Sequence, residues 1–216
     1  MNETGPLFAT ETVVRTATEA ELDAAEAALG SPLPVSYRAF ATRYGQGLAN
    51  GLFAVRMPFA DHGDQALVPR SRIMASTVLK ILIGQWRLGL GPGTEDCLEP
   101  RDAESRLVAD FLPDLVFFAN SIDGHWLAWL GAMERSWLLD DLGASCGEDG
   151  APRLGAEDRV LLEEPGPRFY VIDRGCRTIR SAGNDLLAFL RATTTEAVKP
   201  LLGPGYEPLP SRFGPG

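Results

Sequence analysis

Apolar and polar positions follow two different periods along this chain. From Thr18 the period is helical: Leu22, Ala25, Glu26 and Leu29 recur at steps of three and four, which places them on one face of an α-helix, with one charge on the stripe. Thr18 and Glu21 make the S/T-x-x-E pattern that caps a helix start. Gly30 stands where a left-handed residue would end the helix, and Pro32 and Pro34 prevent its continuation. Pro34 suits the first position of a second helix. In that helix Tyr37, Phe40, Ala41 and Tyr44 share one face, and Gly45 and Gly47 close it. The stretch "ALGSPLPVSYRAFATRYGQG", residues 28–47, therefore predicts the junction of two short helices, the second inserting aromatic rings into a core.

Further on the period changes to two. In "GLFAVRMPF" Leu52, Ala54 and Arg56 alternate with Phe53, Val55 and Met57, a strand that Pro58 ends or marks as an edge. "ASTVLKILIGQW" returns to a helical spacing through Val78, Leu79, Leu82 and Ile83, and the turn-rich, charged run "GLGPGTEDCLEPRDAESR" predicts a surface loop. The strongest β signal is "LVFFANSIDGHWLAWL", residues 115–130, in which two apolar runs flank Asp123-Gly124, a favoured hairpin dipeptide. Trp126 and Trp129 are an odd number apart, so on a strand they face opposite sides of the sheet. Strands are also predicted at 159–164 and 169–173, the latter pairing with 176–181 across Arg174-Gly175. Asn184 is then expected to cap a final helix with Leu186, Leu187, Phe189 and Leu190 on its apolar face. Nine of the 17 residues in "PLLGPGYEPLPSRFGPG" are Pro or Gly, which predicts a flexible tail over 200–216 following a single domain over 1–199.

Composition narrows the class. The 216 residues carry a net charge of -9 and a pI near 4.8, so nucleic acid and anionic membranes are unsuited as ligands and a basic protein is a better partner. The 20 basic residues comprise 18 Arg and only Lys80 and Lys199. Cys97, Cys146 and Cys176 are odd in number and widely spaced, which argues for free thiols in a reducing compartment. The N-terminal residues have no basic and apolar regions of a signal peptide, and no apolar run approaches the ~18 residues of a membrane span. These features lead to the expectation of a cytoplasmic protein.

Candidate chemistry is sparse. Gly143-Ala144-Ser145-Cys146-Gly147 fits G-x-S-x-G, but "EDGAPRLG" follows it and does not begin a helix, and both histidines, His62 and His125, precede it. A hydrolase using Ser145, or Cys146 or Cys97 paired with His125, is the weakest of the readings. Two His and three Cys without close spacing make no metal-ligand set. Gly89, Gly91 and Gly93 lack the flanking strand and helix of a phosphate cradle. Asp140-Asp141 and Glu163-Glu164 are adjacent pairs whose members point apart on a strand, so neither is a ready acid/base dyad. His125, directly after a turn, is expected to be an exposed loop residue. No catalytic residue, metal or cofactor is expected.

Three ordered segments resemble the SUKH superfamily, which includes fungal cell-wall-synthesis regulators and many bacterial immunity proteins. "ATEAELDAAEAALGSPLPVSYRAFATRYGQG" is similar to that family's opening helix, L-G-x-x-L-P and aromatic helix. "LVFFANSIDGHWLAWL" resembles its central hairpin, and "FYVIDRGCRTIRSAGNDLLAFL" its closing strands and helix. The resemblance implies an α+β fold, with two short N-terminal helices and a C-terminal helix packed on a mixed or antiparallel sheet. It also implies a protein-binding module that neutralises a toxin delivered between competing cells, many such toxins being nucleases with a basic channel. A regulatory or scaffolding protein of the same fold is the alternative. The stretch at about 131–166 is atypical for the family, and the partner surface is expected there and beside it: Trp137, Asp140, Asp141, Glu148, Asp149, Glu163 and Glu164.

Overall fold

In the computed structural model, which describes residues 6–87, 114–131, 166–176 and 178–216, the chain begins with a two-residue strand, β1 (Thr10–Glu11), and the two predicted helices, α1 (Glu19–Leu29) and α2 (Val35–Arg43). Strands β2 (Gly47–Ala49) and β3 (Phe53–Val55), a 3-10 turn (Ala60–Gln65) and helix α3 (Leu67–Arg87) follow. Then come β4 (Val116–Ser121), β5 (Trp126–Leu130), β6 (Arg168–Ile172), β7 (Ile179–Ser181), α4 (Leu186–Ala192), α5 (Val198–Leu202) and β8 (Arg212–Gly214). The strands form one sheet in the order β1-β8-β2-β3-β4-β5-β6-β7. Neighbours run antiparallel except β1 and β8, so the architecture is α+β on a mixed sheet, as the sequence predicts.

The helix pair forms for the reasons read from its residues. The Glu21 amide donates to Thr18 Oγ1 at 3.3 Å while the Thr18 amide donates to Glu21 Oε2 at 2.9 Å, a reciprocal capping box. Gly30 adopts φ 73° and donates to the Glu26 carbonyl, a backbone state that costs a residue with a Cβ more than glycine. Arg38 of α2 then pairs with Glu19, Asp23 and Glu26 of α1, so one guanidinium ties the two helices across the Pro32/Pro34 turn. Tyr37, Phe40, Ala41 and Tyr44 are all buried.

The sheet is covered on both faces. On one, residues of α1, α2, α4 and α5 pack on Phe53, Val55, Phe118, Ala119, Leu127, Trp129, Phe169 and Val171. On the other, Met74 and Val78 of α3 group with Phe117, Ala128, Leu130, Tyr170, Ile172 and Ile179. The pairing of β4 with β5 shifts between Phe117 and Ala119. This bulge turns the consecutive residues Phe118 and Ala119 toward the same core. Trp129 lies in the first core and Trp126 against the second, the opposed placement their odd spacing predicts.

Several expectations need correction. Residues 200–216 are not a flexible tail: α5 extends through Leu202, and β8 inserts between β1 and β2. Phe213 supplies the anchor, packing 5.4 Å from Phe8, 5.8 Å from Phe40 and 5.7 Å from Tyr44 between ring centroids. The prolines around it pre-set the backbone and lower the entropy lost on ordering. The helix after Asn184 is not the last, and Asp185 caps it, accepting from the Ala188 amide at 2.9 Å. Helix α3 starts at Leu67, eight residues before the predicted start, because Pro69 is tolerated in a first turn. The predicted loop at 89–106, the strand at 159–164 and all but the two end residues of the atypical stretch at about 131–166 lie outside the described residues.

Phe213→Ala should lower unfolding free energy by about 3–5 kcal/mol, the usual cost of emptying a buried phenylalanine site. Urea denaturation measures this, and an unchanged midpoint would return 200–216 to the status of a loose tail. Cys176 is buried, and burial, reinforced by the charge of Asp173, pushes its thiol up to about 12. It should therefore resist iodoacetamide at pH 8 until the protein is unfolded, because the thiolate is the reacting form. Peptide-resolved mass spectrometry of native and denatured samples checks this, and equal labelling in both would contradict it.

Candidate functional site

The seven residues expected to contact a partner, Trp137, Asp140, Asp141, Glu148, Asp149, Glu163 and Glu164, lie outside the described residues, as do Ser145, Cys146, Cys97 and the glycines at 89–93. What the fold establishes is where the segments carrying them are attached. Val116 at the start of β4 stands opposite Trp129 near the end of β5, and Leu130 stands opposite Arg168 at the start of β6. The start of β4, the end of β5 and the start of β6 therefore share one end of the central sheet. Segment 88–113 enters at the first of these points, and segment 132–165 joins the other two.

These segments hold nearly all of the chain's charge imbalance. Residues 132–165 contain nine acids and three arginines, and residues 88–113 contain six acids and two arginines. The remaining residues hold 14 acids and 15 bases. The rest of the chain is thus close to neutral, at +1, and the two segments, attached at the same end of the sheet, together carry -10.

At the other end of the β4–β5 hairpin Ser121, Asp123, His125 and Tyr206 meet. His125 is only 8% exposed, which corrects the expectation of an exposed loop residue. Its burial has two causes. Its amide donates to Ser121 Oγ at 2.8 Å, drawing the residue into the turn, and its ring meets Tyr206 edge-on at 5.6 Å. Nδ1 lies 3.3 Å from Ser121 Oγ, 3.4 Å from Asp123 Oδ1 and 3.4 Å from the Tyr206 hydroxyl. The Ser121 and Tyr206 hydroxyls both donate to the Asp123 carboxylate.

Serine, histidine and aspartate are the components of a nucleophilic triad, but their arrangement differs in a decisive way. A relay needs the hydroxyl and the carboxylate on opposite ring nitrogens; here both face Nδ1. Ser121 is 1% exposed, and its hydroxyl is committed to Asp123 and to the His125 amide. The arrangement locks the hairpin turn to the C-terminal segment. The position of Tyr206, 81 residues from His125, left no local signal in the sequence. Burial raises the Asp123 carboxyl, yet hydrogen bonds from Ser121, Tyr206 and His125 hold it below its usual value. Burial and the contact with Asp123 push the Tyr206 phenol up.

A carboxyl depressed in the folded state adds stability above its unfolded pKa and loses that contribution as pH falls through the folded value. The stability gap between wild type and Asp123→Asn should therefore be present at pH 7 and shrink below about pH 3.9, the ordinary aspartate value. Thermal melts of both proteins at pH 7 and pH 3 measure the gap; equal gaps at the two pH values would exclude an ionised Asp123 as the lock.

Among the described residues no group of His, Cys, Asp or Glu could hold a metal ion, and no helix is long and apolar enough to cross a membrane. No curated protein and no solved structure matches the chain. Residues 16–134 match the SMI1 / KNR4 family (SUKH-1), a span that takes in the capped helix pair, strands β2 to β5 and more than half of the chain. The chain belongs to the SMI1 / KNR4 family (SUKH-1).

Proposed function

We propose that this protein is a non-enzymatic protein-binding module, an immunity protein that neutralises a toxin delivered into the cytoplasm by a competing cell. The carrying observation is the segregation of charge. A nearly neutral frame holds 15 acids and five arginines in two segments attached at one end of its sheet. Acid-rich segments attached to a stable scaffold suit capture of a basic surface, such as the substrate channel of a nuclease domain, because complementary charge raises the encounter rate by ~10–1000-fold. Membership of the SUKH-1 family supports the same reading. The residues that carry the family pattern, Tyr37, Phe40, Tyr44 and Trp129, are spent on packing, which leaves recognition to the attached segments. A regulatory or scaffolding role with an endogenous partner draws on the same family membership, and the identity of the partner separates the two.

Reversing Asp140, Asp141, Glu163 and Glu164 to Lys together should slow association with the cognate toxin domain by about tenfold or more at low salt. The difference should narrow in 0.5 M salt as screening shortens to a few ångströms. Stopped-flow binding at two salt concentrations reads the effect, with circular dichroism melts as the fold control. An unchanged association rate in a folded variant would remove these acids from the partner surface, and no binding by wild type would leave the regulatory reading.

A further inference from the structure

Arg56 lies just past β3, and its amide donates to the Phe118 carbonyl at 2.7 Å, prolonging the ladder with β4. Its neighbours Val55 and Met57 belong to the first core, so the alternation of a strand sends the Arg56 side chain to the α3 side of the sheet. There Nη1 donates to Gln65 Oε1 at 3.0 Å and Nη2 donates to Asn120 Oδ1. Both acceptors are neutral. The Leu67 amide at the start of α3 donates to the Met57 carbonyl at 2.8 Å, and Gln65 just before it meets the Arg56 side chain, so the first turn of α3, with Arg70 on it, is seated beside Arg56. Burial first, and then that like charge, lowers the Arg56 pKa.

The other clustered cations of the frame are neutralised. Arg15 pairs with Glu21 and Asp61, Arg38 with three acids of α1, and Lys199 with Glu196 and Glu207. Arg56 and Arg70 have no carboxylate partner among the described residues. Both are partly buried, and the Nε of each is buried without an acceptor. A third such donor is close by. Trp126 stands opposite Asn120 in the β4–β5 register, on the same face, and its Nε1 is also buried without an acceptor. Like charges brought together out of water, with N–H groups unmatched, destabilise a fold unless a ligand supplies the missing negative oxygen.

We propose that Arg56 and Arg70, framed by Gln65, Asn120 and Trp126, form a binding site for a carboxylate. Guanidinium forks match the two oxygens of that group in bidentate geometry. A carboxylate fits better than a phosphate because a dianion meets more repulsion from a chain of net charge -9. The site flanks the hairpin turn, at the end of β4–β5 away from the points where the acid-rich segments attach. It does not depend on the toxin-binding reading.

The test titrates full-length ¹⁵N-labelled protein with N-acetyl-glutamyl-alanine amide, a peptide with a single carboxylate, and, separately, with inorganic phosphate, following the arginine Nε–H and tryptophan indole signals. The expected result is a saturable shift of the Arg56, Arg70 and Trp126 signals with the peptide. Arg70→Gln should weaken binding at least about tenfold, the usual scale for one charged hydrogen-bond partner. Arg72→Gln, at an exposed cation two residues away on α3, should leave it within about twofold. Arg70→Lys, which keeps the charge without the fork, should fall between wild type and Arg70→Gln. Arg56→Gln should match Arg70→Gln, and Arg70→Gln alone carries the test if the Arg56 variant does not fold. Absence of saturation, equal loss in Arg72→Gln, or tighter binding of phosphate than of peptide would overturn the assignment.

Discussion

Tyr37 sits where the helix layer meets the sheet, and its contacts set the geometry of everything around it. The ring is fully buried, 5.2 Å from Trp129 and 6.1 Å from Phe118, and its hydroxyl donates to the Arg56 carbonyl at 2.6 Å. Aromatic contact fixes the depth of α2 over the β4–β5 hairpin, and the hydrogen bond fixes its position along the sheet. Burial pushes the phenol well above its usual value, so the group remains a neutral donor throughout the physiological range. Losing the donor would leave a buried carbonyl unmatched, at a cost of about 1–3 kcal/mol. The residue that accepts this bond is the one whose guanidinium emerges on the opposite face, so the core contact also holds Arg56 in place.

Burial on both faces explains which parts of this fold were legible from the chain. The capping box at Thr18 and Glu21, the Gly30 terminus and the aromatic stripe of α2 are local signals, and local physics decides them. The Asp123-Gly124 turn flanked by apolar runs is of the same kind. The opposed placement of Trp126 and Trp129 follows from strand period alone. What the chain concealed depends on distant partners. Phe213 is a lone apolar residue among prolines and glycines, and its strand exists because β1 and β2 offer edges on either side. A three-residue strand has no period to detect. His125 reads as exposed because it follows a turn; it is buried because Tyr206 arrives from the far end of the chain. Asp185 caps α4 in place of Asn184 because the register of that helix is set by Leu186, Phe189 and Leu190 against the first core.

The candidate partner surface has a different relation to sequence. Acids in a polar segment carry no periodicity, and counting them along the whole chain hides their distribution. The topology supplies the missing information. Because β4 and β5 are antiparallel and β5 and β6 are antiparallel, segments remote in sequence are attached at neighbouring points. The segments that hold most of the acids are thereby attached at one end of the sheet although no single run of residues is unusually acidic.

The frame's own cations show the same division from the other side. Where arginines serve the fold, as Arg38 does between α1 and α2, they are surrounded by carboxylates and gain attraction without deep burial. Where Arg56 and Arg70 approach each other, the fold provides only amide oxygens. A structural role alone does not account for that choice, since a hydrophobic pair of similar volume would serve packing at least as well. Arg56 and Arg70, without carboxylate partners among the described residues, lie beside the hairpin turn, at the opposite end of β4–β5 from the points where the acid-rich segments attach, and a core packed on both faces lies between. That core is close-packed on both faces of the sheet, so the attachment points and the hairpin turn keep a fixed separation.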